Sequence, residues 1–258
     1  MAPVDLLLVA SGGLLAGLVG ALMGVGGGIV AVPFLNLVVG VPIHSAAAAG
    51  LISTLSVSCG AAGRYLRRGG LVDIHTALHL EVSAAAGGLF GGIAVGWLRG
   101  PVVQILFAVT LVYACVHIVR SALRPGGGST PGAVSPARTL VAFGLCLAAG
   151  VLSGLLGIGG GIVVVPVLHL VLGLPFKSAT ATSNFMMGLT AVPALCGFVS
   201  RGDLDLFTAA PLAAGVLLGA SIGARIMPRV KTPVLKMGFA LLLAAAAFEM
   251  ARKGIGTW

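Results

Sequence analysis

Charge is what this sequence has least of. Six Asp and Glu stand against fifteen Lys and Arg in 258 residues, and charged side chains make up 8% of the whole. A soluble domain carries roughly 25%. With 58% hydrophobic residues and a mean hydropathy of +1.14, the chain has too little polar surface to face water. That excludes a soluble domain and makes the bilayer the solvent. Aromatic residues are also scarce, at 5%. A formal charge of +9 would suggest nucleic acid in a soluble protein, but here the basic residues fall between apolar segments with no aromatics interleaved. They read as loop charges obeying the positive-inside rule, with no nucleic-acid partner. The four cysteines (Cys59, Cys115, Cys146, Cys196) lie inside apolar stretches without CxxC spacing. They read as small buried thiols rather than metal or redox groups, and no metal or cofactor is expected. Met1-Ala2-Pro3-Val4-Asp5 lacks the basic n-region of a signal peptide, so the first apolar stretch is expected to stay as a membrane segment.

Glycine, by contrast, is abundant at 41 residues, and its placement organises the chain. Gly24-Val25-Gly26-Gly27-Gly28-Ile29-Val30-Ala31-Val32-Pro33 returns as Gly157-Ile158-Gly159-Gly160-Gly161-Ile162-Val163-Val164-Val165-Pro166, an offset of 133 from Gly24 to Gly157. Downstream, Val41-Pro42 matches Leu174-Pro175, and Ser45-Ala46 matches Ser178-Ala179. Gly69-Gly70-Leu71-Val72-Asp73 resembles Arg201-Gly202-Asp203-Leu204-Asp205, and Gly88, Gly92 and Gly96 answer to Gly215, Gly219 and Gly223 after a small slip. Two homologous repeats are therefore expected: residues 1–121, a Gly/Pro/Ser-rich linker at 122–137, and residues 138–258.

Each repeat carries one overlong apolar segment (5–40 and 137–173) followed by three of ordinary spanning length. As a single helix, residues 5–40 would run about 54 Å, against a hydrocarbon core of about 30 Å. Tilt cannot absorb that excess, so each overlong segment should break at its glycine run into a re-entrant hairpin, with Pro33 and Pro166 as further punctuation. Such hairpins invert the second repeat relative to the first. They place Arg64, Arg67, Arg68, Arg120, Arg124, Arg138, Lys177, Arg225, Arg229, Lys231 and Lys236 on one side, and only Arg99, Arg201, Arg252 and Lys253 on the other. That bias satisfies the positive-inside rule better than single crossings do, and it puts both termini outside the cytoplasm. The fold class is an all-α polytopic membrane protein.

The glycine runs Gly26-Gly27-Gly28 and Gly159-Gly160-Gly161 have two readings. They permit close packing, or they present backbone N–H groups at a half-helix start, the arrangement that binds anions. They are not a dinucleotide fingerprint, because the third glycine and a preceding strand are missing. Hydroxyls follow each run, joined by an amide after the second: Ser53 and Thr54 in the first repeat, and Thr180, Thr182, Ser183 and Asn184 in the second. Singly, such hydroxyls can bond the backbone one turn earlier. As a cluster of neutral donors beside a broken helix, they suit a small oxyanion that must be released again. Ionisable residues inside spans invite functional reading, which makes Glu81 and His79 candidates for ion coupling. Spacing puts His75 and His79 on one helix face and Glu81 elsewhere, which argues against a metal site. The glycines four apart in each repeat read as helix-packing positions.

Together, the paired GxGGGxxxxP runs, the Pro-x-x-Ala/Ser-x-x-Thr-Ser-like stretch after them and the Gly-x-x-Asp loop resemble the TauE/SafE family of sulfite-exporter-like permeases. The resemblance covers nearly the whole chain. It implies a secondary transporter of the bacterial cytoplasmic membrane, handling small sulfur-containing anions such as sulfite or organosulfonates. One departure is that Thr182-Ser183 corresponds to Ala49-Gly50 in the first repeat, so the two halves would contribute unequally. The expected partners are a small anionic substrate, the lipid bilayer and a coupling proton or sodium ion; a homo-oligomer is compatible. Two alternatives are an intramembrane enzyme drawing a base from His75, His79, His117 or His169, and a non-transporting membrane subunit. No serine stands in a recognisable nucleophile motif.

Overall fold

The computed structural model describes residues 3–67, 71–123, 136–227, 229, 240–241 and 244–253. Most of the linker at 122–137 lies outside the described residues, as do Arg68, Gly69, Gly70, Arg124, Lys231, Lys236 and the side chains of Arg67 and His117. Among the described residues every regular element is helical. In chain order these are α1 (Pro3–Met23), α2 (Gly28–Pro33), α3 (Ile43–Arg67), α4 (Ile74–Ala94), α5 (Gly100–Leu123), α6 (Pro136–Leu156), α7 (Gly161–Pro166), α8 (Phe176–Arg201) and α9 (Leu206–Ile226). Residues 244–253 are also helical. Helices α1, α3, α4, α6, α8 and α9 are long and apolar enough to cross a membrane, which makes this a multi-pass chain.

Both overlong segments break where the glycines stand. After Pro33 and Pro166 the backbone loosens from α to π geometry, over Phe34–Val39 and Val167–Val171. Proline has no N–H to continue the α ladder, which accounts for the change at that point. The far ends of the two broken segments are tied alike: Asn36 Nδ2 donates to the Val41 carbonyl at 2.9 Å, and His169 Nδ1 donates to that of Leu174 at 2.8 Å. These pairs share the same offset, yet sequence reading had not linked them.

Close backbone approach holds the bundle together. A Cβ on Gly13 or Gly17 of α1 would strike the Leu212 or Val216 carbonyl of α9, and one on Gly215, Gly219 or Gly223 would meet Ala10, Leu14 or Leu18. Both numberings rise together, so α1 and α9 run parallel. The same holds for α4 and α6, through Gly87 against Leu147 and Gly91 against Val151. Small residues permit such contact where lipid offers no hydrophobic drive between helices. The correspondence read from spacing needs correction here. Gly215, Gly219 and Gly223 face α1, whereas Gly88 and Gly92 face Thr190 and Ala194 of α8; Gly87 and Gly91 are the true counterparts of Gly219 and Gly223. Gly96 lies past α4 in a short 3-10 turn, against Arg201. Consecutive glycines on α4 serve two neighbours, and one-letter spacing does not say which face is which.

The Gly-x-x-Asp loops turn out to be helix caps. Asp73 accepts from Thr76 N–H at 3.1 Å and Thr76 Oγ1 at 2.7 Å, starting α4. Asp205 accepts from Phe207 N–H at 3.0 Å and Thr208 Oγ1 at 2.6 Å, starting α9. Asp at this position satisfies N–H groups the helix cannot. At the far end of α4, Arg201 donates to the Gly92 carbonyl at 2.8 Å, pairs with Asp203 at 2.8 Å and stacks on Phe198.

Candidate functional site

The two breaks are built on one plan. α1 stops because Gly24 takes the left-handed conformation (φ +71°), its N–H bonding Gly20 O at 2.9 Å. α6 stops at Gly157 (φ +72°), whose N–H bonds Ser153 O at 2.8 Å. A left-handed glycine is a common helix stop because it pays no Cβ penalty there. Gly26 (φ +80°) and Gly159 (φ +83°) turn the chain again, and α2 and α7 start at Gly28 and Gly161. Gly27 and Gly160 occupy the N-cap positions, so no capping side chain satisfies the first-turn N–H groups.

The runs interlock reciprocally. A Cβ on Gly28 would strike the Gly157 carbonyl, and one on Gly161 would strike that of Gly24. A Cβ on Gly24 would lie 2.8 Å from Thr180 Cα, and one on Gly157 would run into Ala47, the residue 133 positions before Thr180. Thr54 stands between the runs: its Oγ1 would be 3.0 Å from a Cβ on Gly26 and 2.9 Å from one on Gly159. That hydroxyl donates to Gly50 O at 3.0 Å.

Most of the polar cluster expected beside the second run lies against the first. Ser183 Oγ donates to the Gly24 carbonyl at 2.8 Å, and Asn184 Nδ2 donates to that of Ala21 at 3.0 Å. Tyr65 O–H reaches the same Ala21 carbonyl at 2.8 Å. Ser53 Oγ lies over Gly27, and Ser153 of α6 lies beside Gly160. Thr182 is placed differently: its Oγ1 accepts from Asp73 N–H at 3.0 Å, so it ties α8 to the loop before α4. Ser53, Thr54, Thr182, Ser183 and Asn184 have no measurable exposure.

Among the described residues, five buried side-chain polar atoms have no hydrogen-bond partner: Ser53 Oγ, Ser153 Oγ, Thr180 Oγ1, Asn184 Oδ1 and Glu81 Oε2. Each unsatisfied group costs about 1–3 kcal/mol, so together they mark where a polar ligand would find partners. Four of the five border a glycine break. Glu81 stands apart, between α4 and α8, with its Oε1 taking the Thr190 hydroxyl at 2.8 Å. His79 is exposed and bonds its own helix through the His75 carbonyl at 2.7 Å, so the structure does not bring it to Glu81. Sequence reading missed Ser153, Thr190 and Tyr65. Ser153 had a signal, since it stands 133 positions from Gly20 in the last turn before its break; Thr190 and Tyr65 act through partners remote in sequence and had none.

Apolar spans, two segments broken at buried glycine turns whose helix starts lack side-chain caps, and the hydroxyls of Ser53, Ser153 and Thr180 left without partners beside them are the build of a multi-pass membrane transporter. The chain belongs to the family described as Sulfite exporter TauE/SafE, whose model matches residues 9–250. It is 26% identical over 271 residues to the probable membrane transporter protein YunE of Bacillus subtilis, covering 94% of this chain and 96% of that protein. It is 27% identical over 237 residues to the probable membrane transporter protein YdhB of the same organism, covering 90% and 94%. A probable membrane transporter protein of Methanocaldococcus jannaschii is 25% identical over 237 residues, covering 84% and 86%. No solved structure matches the chain. A family of permeases replaces the intramembrane-enzyme alternative.

Proposed function

We propose that this transporter carries a small sulfur-containing oxyanion, sulfite or an organosulfonate, across the bacterial cytoplasmic membrane by exchanging the conformations of two inverted halves. The observation that carries the reading is the reciprocal contact of the runs, Gly28 on Gly157 and Gly161 on Gly24, at two uncapped helix starts. Backbone N–H groups from both starts, with the Ser53 hydroxyl at the first and Ser153 at the second, are donors suited to an anion that must leave again. Thr54 lies between them, and Thr180, Ser183 and Asn184 close the far side of the first break.

Inversion of residues 1–121 against 138–258 is supported by helix directions. Parallel pairing sets α1 with α9 and α4 with α6, while the short turn Gly202–Asp205 makes α8 and α9 start at opposite ends. Because α4 also lies parallel to α8, through Gly88 on Thr190 and Gly92 on Ala194, α1 and α6 start at opposite ends. With the basic loops on the cytoplasmic side, the termini then face outward. In a background without native cysteines, cysteine at Arg64 should be shielded from an impermeant thiol reagent in intact cells, while cysteine at Gly202 is labelled. Equal labelling would sink the inverted arrangement.

The substrate class is tested by thermal stabilisation of detergent-purified protein with sulfite, thiosulfate, taurine, sulfoacetate and sulfate, since a ligand of the native state raises apparent stability. We expect a saturable rise with at least one sulfur oxyanion and uptake of it into proteoliposomes. No response to any of them would overturn the substrate class.

A further inference from the structure

We infer that the first break also holds a small monovalent cation, bound by Asn184 Oδ1 and Thr180 Oγ1 against the C-terminal end of α1. The inference rests on the first break being part of the transport site. Orientation of the amide is the starting point. The Ala21 carbonyl can only accept, so the Asn184 atom 3.0 Å away is the NH2 group, and the amide oxygen must point elsewhere. That oxygen is wholly buried and receives no hydrogen bond. Thr180, four residues earlier on the same face of α8, leaves a second buried oxygen without a partner, and its backbone lies against Gly24. An oxyanion cannot satisfy an amide oxygen, because both are acceptors. A positive ion can.

The backbone adds to this preference. α1 is a 21-residue helix ending at Met23, so its last-turn carbonyls and the negative end of its dipole point into the break. Ser183 and Tyr65 fix that end by bonding the Gly24 and Ala21 carbonyls.

Charge count then sets the valence. Asp73 and Asp205 cap helices, Glu81 is held by Thr190, and Asp203 and Glu249 pair with Arg201 and Arg252. None of these five carboxylates is at the break, and a divalent ion in a protein site takes carboxylate oxygens. Neutral oxygens alone suit a singly charged ion of sodium size, held between tightly packed backbones. The break therefore separates two charges: the cation at the end of α1, the anion at the start of α2.

Sodium alone tests this, on the full-length protein in detergent. Thermal unfolding is followed as NaCl replaces choline chloride at constant ionic strength, and binding of radioactive sodium is measured directly. We expect a saturable stabilisation specific to sodium over choline. In Thr180→Val the half-saturating sodium concentration should rise at least tenfold, and in Thr180→Ser, which keeps the oxygen, it should stay near the parent value. Asn184→Leu should abolish sodium binding; if that variant does not fold, the Val and Ser pair decides. Equal stabilisation by sodium and choline, or an unchanged half-saturation in Thr180→Val, overturns the inference and leaves those oxygens to water. Repeating the anion panel in choline separates the two ideas. Anion binding without a sodium response removes the cation and keeps the substrate, and a sodium response with no anion does the reverse.

Discussion

The two glycine breaks share a pair of left-handed turns and differ in what surrounds them. At the first, Ser183 bonds the Gly24 carbonyl and Asn184 that of Ala21. At the second, the residue matching Ser183 is Gly50, whose missing side chain lets its backbone sit directly on the Gly157 carbonyl, and the residue matching Asn184 is Leu51. One break is closed by side-chain hydrogen bonds, the other by bare backbone packing. Their glycines differ too. Gly27 has an ordinary right-handed conformation, so a Cβ there collides chiefly with Ser53 Oγ, with Val57 Cγ2 next at 3.2 Å, while Gly160 is left-handed (φ +71°) with its nearest atom, Ala149 O, at 3.1 Å. The left-handed turns recur at both places, and the side-chain hydrogen bonds from α8 gather at the first.

The largest effect should come from the shared contact. Gly28→Leu and Gly161→Leu each force a side chain into the carbonyl of the opposite run. Both should lose folded protein on size-exclusion chromatography, and to the same extent. If one variant stayed folded and active, the breaks would not depend on each other. Next comes the hydroxyl that only the first break has. Ser183→Ala strips the Gly24 carbonyl of its donor in a buried place, which should cost about 1–3 kcal/mol in thermal unfolding. Gly50→Ala at the matching place should also destabilise, but by collision with the Gly157 carbonyl. A neutral Gly50→Ala would erase the distinction between bonded and packed closure.

The shared scaffold was legible in sequence because glycine is demanded by geometry there. Gly24, Gly26, Gly157 and Gly159 need positive φ, and Gly28 and Gly161 need the absence of a Cβ, so the motif survives in both halves as letters. Length against bilayer thickness revealed the break itself. What could not be read was which elements meet. Thr180, Ser183 and Asn184 follow the second run in the chain and serve the first, because α8 crosses to the other half. Thr182, on the same stretch, turns to Asp73. Periodicity places residues on a face, and only packing says what that face touches.

The comparison of Gly27 with Gly160 sharpens through a double substitution. Gly27→Ala should destabilise by about 1–3 kcal/mol through overpacking on Ser53, and adding Ser53→Ala should recover most of that loss. Gly160→Ala has no such partner; its cost of about 1–2 kcal/mol comes from the left-handed backbone, and Ser153→Ala should not relieve it. Glu81 breaks the symmetry elsewhere, since the residue 132 positions on is Ala213. Thr190 of α8 bonds it. If it carries the coupling proton, Glu81→Gln should flatten the pH dependence of transport in proteoliposomes while substrate stabilisation persists; an unchanged pH profile would remove it from coupling.

The smallest effects test whether the scaffold outside the breaks is as even as its sequence. Asp73 and Asp205 cap α4 and α9 through similar bonds, one from a backbone N–H (Thr76 and Phe207) and one from a threonine hydroxyl three residues on. Asp73→Ala and Asp205→Ala should therefore each cost about 1 kcal/mol in thermal unfolding, without changing the substrate concentration that half-saturates binding. At the first loop Asp73 N–H also donates to Thr182 Oγ1, and the residue matching Thr182 in the first half is Ala49. Alanine at position 73 keeps that N–H, so the two cap losses should agree. Thr182→Val removes the acceptor and should add a further loss of about 1 kcal/mol at the first loop, whereas Ala49→Ser, placed to offer the Asp205 loop a hydroxyl, should leave stability unchanged or raise it. If Thr182→Val instead weakens anion stabilisation while leaving unfolding untouched, then this hydroxyl faces substrate, and the loop bond is a feature of the resting state alone.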